Sequence, residues 1–281
     1  MMRRLVFRVV AGSWLFGWFC NALGDPGFLQ NFLDATQHPI VHDSFPELLR
    51  DPRIAFVVYL LPLLCLMPLF RPRLMWMRAA SLLMVGTALF SCLHLETCND
   101  ATFVTSLWVA LWLAWFVWSK RIDPTLARGL AHGVVGVLFL GALVGKLTPE
   151  HRSGEAFYRL YFRDNPAWPY PWLREALTRE SFRGLATVFA RGAIFAETLL
   201  SLAPILPTRF VLAVGALTSL TMMVAWTFHL ASVLSSILGL LVAALILERR
   251  FTKKAFDAAD LDSRPSKRSR RPRRDRSYRA G

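Results

Sequence analysis

The sequence predicts an all-α, polytopic membrane protein, a transmembrane helix bundle of about eight spans with short interfacial helices between residues 148 and 183. Apolar residues make up 54% of the 281 residues and the mean hydropathy is +0.39. Several apolar segments are long enough to cross a bilayer, which takes about 20 residues as a helix. The four cysteines are too few for a disulfide scaffold. This composition is typical of a membrane protein and unlike that of a soluble domain.

The charge is concentrated at the end of the chain. Thirteen of the 33 basic residues lie in positions 249–281, so the net charge of +14 largely describes a tail. We therefore predict a membrane domain over residues 1–247 and a basic, disordered cytoplasmic tail over 248–281. The tail is expected to contact anionic lipid head groups or to act only as a topology anchor, and nucleic acid is the less favoured partner.

The first half of the membrane domain contains four predicted spans. MMRR precedes the first, residues 5–23, which is read as a span or, alternatively, as a signal peptide that is removed. The acidic, turn-rich segment 25–53 follows as an outside loop. The second span, 54–70, ends at the basic RPRLMWMR, which marks a cytoplasmic connection.

The third span, 79–95, ends in HLETCND, which has no basic residue and is placed outside. The fourth, 101–118, is rich in tryptophan and stops at SKR, on the cytoplasmic side. The fifth span runs outward and ends at Lys146. It carries glycines at four-residue spacing (Gly129 and Gly133, then Gly141 and Gly145), which predicts a close approach to neighbouring helices and a central position.

The remaining spans complete an even number. The prolines near residues 166–171 interrupt the interfacial segment 148–183, and span six covers 185–206. Residues 210–247 carry no charge and are about twice as long as one span, so we predict two spans joined near 227–232. With eight spans, both termini lie in the cytoplasm. We expect the membrane to be the cell (inner) membrane.

This topology places a set of ionisable side chains in the outer half of the membrane domain. Each of them alone is more simply read as structural, and Lys146 in particular as a lysine that extends to the lipid head groups. Together they favour a polar site that opens to the non-cytoplasmic side. The residues concerned are Lys146, His94, Glu96, His229 and Arg191, and Glu197 lies deeper, about 18 Å along its helix by helical rise.

A metal site is disfavoured. His94 and Cys98 are four residues apart and would share a helix face, with Glu96 between them on another face, but no second ligand pair is evident. The sequence has no P-loop, GxSxG or HExxH motif.

Short motifs in the second half of the chain carry a family resemblance. They are GALVGKLTPEHRSG (141–154), AETLLSLAP (196–204), PTR (207–209) and WTFHL (226–230). Their order and spacing resemble those of the HTTM domain, the membrane portion related to vitamin K-dependent gamma-carboxylase. The likeness extends loosely over residues 1–247. A weaker resemblance is to DoxX-like membrane proteins.

The resemblance implies an enzymatic site. Lys146 matches the family's lysine base and His229 its Phe-His dipeptide, so both are expected to be catalytic. Arg191, Glu197, His94 and Glu96 would then shape the substrate pocket. The implied cofactor is a quinone or hydroquinone, and the implied activity is carboxylase/epoxidase-like or otherwise quinone-linked.

Two functions of different classes follow. In the first, Lys146 is a general base for a lipid-phase substrate, made neutral by desolvation and by a nearby cation such as Arg191. In the second, the protein is a non-catalytic assembly or regulatory subunit, and its charged groups hold the bundle together. Transport is less favoured, because no pair of broken helices suggests a midplane site.

Overall fold

A computed structural model describes residues 2–24, 51–94, 100–164, 169–226 and 231–263, and these residues form helices and turns without a β-strand. The α-helices are α1 (Met2–Gly24), α2 (Pro52–Leu60), α3 (Leu66–Phe70), α4 (Leu74–His94), α5 (Asp100–Trp118), α6 (Pro124–Lys146), α7 (Pro149–Arg152), α8 (Glu155–Phe157), α9 (Tyr170–Ala176), α10 (Arg179–Ser201), α11 (Thr208–Trp226) and α12 (Ala231–Ser263). The predicted all-α class is confirmed for the described residues.

Three of these helices are long and apolar enough to cross a membrane: Leu74–Leu93, Pro124–Lys146 and Arg179–Ser201. Shorter apolar helices occupy Phe56–Phe70, Phe103–Trp118 and Thr208–Met222. The protein is thus a helical membrane protein by length and composition. The count of eight spans and the orientation of the termini stay predictions.

The predicted second span is not a uniform helix. A 3₁₀ segment, Leu61–Cys65, joins α2 to α3. Pro62 is the second residue of this segment and has no backbone N–H to donate to the preceding turn. The tighter 3₁₀ turn accommodates the absence of this hydrogen bond. The apolar run therefore continues as a helix of a different type.

The main core is built around the first and last helices. α1 and α12 share the most extensive helix contact among the described elements. Trp18 of α1 is fully buried and donates its indole N–H to the carbonyl of Tyr59 at 2.9 Å, while the Tyr59 hydroxyl donates to the carbonyl of Trp18. This reciprocal pair satisfies two buried polar groups and ties α1 to α2.

The arginine-rich connections lie together at one end of this bundle. Arg3 donates to the carbonyl of Ser119 at 2.6 Å, and Arg8 donates to the carbonyls of Leu69 and Phe70 at 2.8 and 3.1 Å. These carbonyls follow α5 and end α3, so the arginines satisfy acceptors that a helix end leaves free. The basic segments that the sequence placed on one side therefore do meet at one end.

The glycines of α6 do not pack as predicted. A Cβ atom built on Gly129, Gly133, Gly141 or Gly145 would meet nothing within 4 Å. The close approach occurs instead at Gly136, whose Cβ would lie 3.0 Å from the carbonyl oxygen of Ser201. The four repeated glycines therefore make no close contact with another helix among the described residues.

The end of α12 differs from the sequence prediction. A disordered tail is predicted from residue 248, but α12 continues through Ser263. No proline or glycine interrupts the sequence between Gly239 and Pro265, and alanines and charged residues in ERRFTKKAFDAAD favour helix. The described part of α11 ends at Trp226 and α12 begins at Ala231, so the predicted junction near 227–232 lies mostly outside the described residues.

A second, smaller hydrophobic cluster lies beyond the end of α6. α8, the π-helical turn Tyr158–Phe162 and α9 pack against the first half of α10. Their buried side chains are Phe157, Tyr158, Phe162, Tyr170, Phe182, Ala186, Ala190 and Ala193. The segment predicted to be interfacial thus forms short helices with a core of its own.

Candidate functional site

The candidate site is built on the last residue of α6. Asp123 caps the start of this helix by accepting from the N–H of Thr125, and Lys146 ends it. A cation is favourable there, because the last carbonyls of a helix carry partial negative charge. The Lys146 Nζ atom lies 2.6 Å from Oε1 of Glu197 on α10. The lysine is thus directed at a neighbouring helix.

Glu197 is held on the buried face of α10. That face repeats at helical spacing and includes Ala190, Ala193, Glu197 and Leu200. The Glu197 side chain is 3% exposed, against 22% for Lys146. Ala193 belongs to the second cluster and Leu200 to the main core, so the ion pair lies at the junction of the two.

The second carboxylate oxygen of Glu197 gives the pair its chemical interest. Oε2 is buried and has no hydrogen-bond partner among the described residues. A buried acceptor without a partner is costly, and functional sites are common places to find one. This oxygen is available to a ligand or to a proton.

Two groups that sequence reasoning did not select complete the site. His151 of α7 interacts electrostatically with Glu197, and Glu197 with Tyr161. Burial, and secondly the Glu197 charge, raise the pKa of the Tyr161 hydroxyl. The His151 ring lies 6.5 Å from that of Phe157, which lies 5.3 Å from Tyr161. A histidine and a phenol therefore flank the ion pair.

His151 is positioned by local contacts. Its Nδ1 lies 2.9 Å from Oγ1 of Thr148, the N-cap residue of α7. The segment is fixed to α10 by Thr187, which donates to the carbonyl of Ser153 at 2.8 Å. Gly154 then turns the chain with φ of +80°, and a Cβ there would lie 2.4 Å from Cα of Thr187. Only glycine permits this contact.

The structure brings together two of the six predicted site residues, Lys146 and Glu197. Arg191, expected to lower the pKa of the lysine, is an exposed residue of α10. Glu96 and His229 lie outside the described residues, as does the side chain of His94. Cys98, weighed as a metal ligand, is outside them too.

An apolar cavity lies in the second cluster. Its volume is about 310 Å³, and it is lined mainly by aromatic and aliphatic side chains: Phe162, Pro169, Tyr170, Leu173, Leu185, Phe189, Leu220 and Thr221. Small-molecule pockets are mostly apolar with few polar groups and begin near this volume. Phe162, which lines the cavity, directly follows Tyr161 in the chain, whereas Lys146 and Glu197 are not among the lining residues.

No protein-family model, curated protein or solved structure matches the chain. The resemblance to the HTTM domain therefore rests on the short motifs alone.

Proposed function

We propose that this chain is an integral-membrane enzyme that acts on a lipid-soluble quinone or another lipid-phase substrate, with Lys146 as the general base. The observation that carries the proposal is the buried Lys146–Glu197 pair with its unpartnered Oε2. Ionisable groups inside a membrane domain are costly and mark functional sites by default.

Glu197 solves a chemical problem that the base would otherwise face. A lysine accepts a proton only as a neutral amine. At 2.6 Å, the Lys146 ammonium can pass a proton to the Glu197 carboxylate, giving an amine beside a carboxylic acid. By accepting this proton, Glu197 leaves Lys146 as a neutral amine, which is the effect that the sequence led us to expect from Arg191.

The neutral pair can then take a proton from substrate. The amine accepts an acidic hydroxyl proton and returns to ammonium, while Glu197 stays protonated and does not repel the new anion. The ammonium and the anion are then adjacent and opposite in charge. His151, half-buried next to Glu197, is suited to exchange protons with the aqueous surface.

The apolar cavity supports a lipid-phase substrate. Its aromatic lining suits a quinone ring or an isoprenoid chain. His229 stays part of the proposal as a second catalytic residue on the basis of the family resemblance, and His94, Glu96 and Arg191 stay proposed contributors to the pocket.

The second candidate function is a non-catalytic assembly or regulatory subunit. The observation that favours it is the position of the ion pair between the two hydrophobic clusters, where it would hold α6 and α10 together. In this case the charges matter for the fold and not for a reaction.

One variant separates the two functions. Lys146→Met combined with Glu197→Leu removes both charges and leaves no buried ion unpaired, so the fold is expected to persist. If the pair is catalytic, cells that depend on the protein lose its function although the variant accumulates normally. If the pair is structural, the double variant supports function.

Mass spectrometry of the lipids that travel with the purified protein identifies the ligand. We expect a quinone or another neutral lipid with an acidic hydroxyl to accompany the wild type at a near-stoichiometric ratio. Arg179→Gln, which changes an exposed charge at the start of the same helix, is the matched control and should retain the compound. Recovery of bulk phospholipid alone from the wild type would contradict a lipid-phase substrate.

A further inference from the structure

The basic end of the bundle contains a groove whose chemistry is distinct from that of the Lys146 site. Contacts of Arg3 with Ser119, of Arg8 with Phe70 and of Arg78 with the Trp118 ring bring the ends of α1, α3, α4 and α5 together. The described basic residues there are Arg3, Arg4, Arg8, Arg71, Arg73, Arg78, Lys120, Arg121, Arg128 and Arg249.

Acidic residues do not neutralise this surface. Asp123 accepts from the N–H of Thr125, and Glu248 faces Arg128 at 3.8 Å. Among the described residues, no carboxylate pairs with Arg4 or Arg8. Two guanidinium groups in the groove are therefore available to an external anion.

The groove lies between α1 and the connection from α3 to α4. Its volume is about 650 Å³, and it is lined by Arg4, Leu5, Arg8 and Pro72. Arg4 and Arg8 are one helical turn apart, so they share a face about 6 Å from each other along the axis. This spacing lets both approach one phosphate group.

Arg8 is held in place before any ligand binds. Its Nε and Nη2 atoms donate to the carbonyls of Leu69 and Phe70 at 2.8 and 3.1 Å. An arginine fixed in this way loses little side-chain entropy when its remaining donors bind an anion. Both arginines are exposed, so an anion can reach them.

The surroundings of the groove distinguish a lipid from a soluble phosphate. Leu5, which lines it, is 42% exposed, and Phe70, whose carbonyl binds Arg8, is 78% exposed. Large exposed apolar side chains beside a cationic pair match an acyl chain beside a charged head group.

We propose that the groove between Arg4 and Arg8 binds the phosphate of an anionic phospholipid from the leaflet at the basic end of the bundle. The contact is separate from any made by the terminal tail, which lies outside the described residues beyond Ser263.

Native mass spectrometry of the full chain tests this proposal. The protein is delipidated in detergent and titrated with phosphatidylglycerol or with zwitterionic phosphatidylcholine, and the lipid-bound fractions are compared. We expect phosphatidylglycerol to bind more tightly, and Arg4→Gln to weaken it about five-fold, the change that about 1 kcal/mol per basic residue near an anionic surface predicts. The tail is present in every variant, so a difference between variants reports the groove.

Arg53→Gln is the matched control, since Arg53 is an exposed arginine at the start of α2, away from the basic end. It should leave phosphatidylglycerol binding unchanged. Arg4 is chosen over Arg8 because Arg8 also stabilises the end of α3. Equal binding of the two lipids, or an equal effect of the Arg4 and Arg53 substitutions, would overturn the proposal. Competition by millimolar inorganic phosphate would overturn it in favour of a soluble ligand.

Discussion

Replacing Lys146 by methionine is expected to destabilise the protein more than replacing Glu197 by glutamine, although both break the same ion pair. The Glu197 side chain is 3% exposed and cannot turn toward water, so Lys146→Met leaves a buried carboxylate without its cation. The Lys146 side chain is 22% exposed at a helix end, so after Glu197→Gln its ammonium can reach a polar surface.

The magnitudes follow from this asymmetry. Removing one partner of a buried pair costs about 3–5 kcal/mol, and we expect Lys146→Met to fall near ~3 kcal/mol because the carboxyl group can protonate. Glu197→Gln should cost ~1 kcal/mol, since a lysine that reaches water loses mainly one hydrogen bond. In a chain of this size ~3 kcal/mol lowers Tm by about 6–12 °C. Lys146→Met with Glu197→Leu should recover to within ~1 kcal/mol of wild type.

The assay is thermal unfolding in detergent, followed by the fluorescence of the ten tryptophans. Arg191→Gln is the control and should stay within about 0.5 kcal/mol of wild type, as exposed substitutions usually do. Adding Glu197→Leu alone, as the single counterpart of the double variant, completes a double-mutant cycle that isolates the pair. Equal costs for the two single variants, or a double variant whose cost is their sum, would refute the reasoning.

Three further predictions concern the surroundings of the site and the core. Gly154→Ala should lower the free energy of unfolding by ~2–4 kcal/mol, because residue 154 has a positive φ and its Cβ would clash with Thr187. Gly141→Ala is the control and should not lower it, because a Cβ there meets open space. Equal effects of the two substitutions would contradict the contact with Thr187. Burial raises the pKa of Tyr170 to about 12, so this tyrosine favours folding below its unfolded pKa near ~10 and that stability is lost as the pH rises toward 12. Tyr170→Phe should therefore reduce the decrease of Tm with pH over that range. An unchanged slope of Tm against pH would show that another group causes the decrease. Tyr59→Phe should lower the free energy of unfolding by ~1 kcal/mol, because it removes the hydroxyl that donates to the carbonyl of Trp18. Tryptophan emission should change as well. Unaltered emission and stability would contradict this hydrogen bond.

Helix positions could be predicted from the sequence because long apolar runs are bounded by charges and prolines. Span four was expected over 101–118 and α5 occupies Asp100–Trp118; the fifth span was expected to end at Lys146, where α6 ends. The 3₁₀ segment at Pro62 was not predicted, since hydropathy does not distinguish helix types. The continuation of α12 was missed because a charged composition was read as disorder.

The site was partly predictable for a different reason. Topology placed Lys146 at the outer end of its span and Glu197 deeper in the next one, but their pairing joins residues 51 positions apart and depends on how α6 and α10 pack. Arg191 and Glu197 are six residues apart, about 120° around the helix, so they cannot share one face. That periodicity was available from the sequence. His151 lay within the motif GKLTPEHRSG, but only the turn at Gly154 places α7 against α10.

The pairing of α1 with α12 has a consequence for how the chain is made. The residues between Gly24 and Ala231 are synthesised between α1 and its main partner, so the apolar face of α1 can pack against α12 only after they have been made. Contacts between such distant segments form late and slowly. Nascent chains that stop before residue 231 would expose the unsatisfied face of α1 to chaperones and proteases, which provides a natural check on incomplete products.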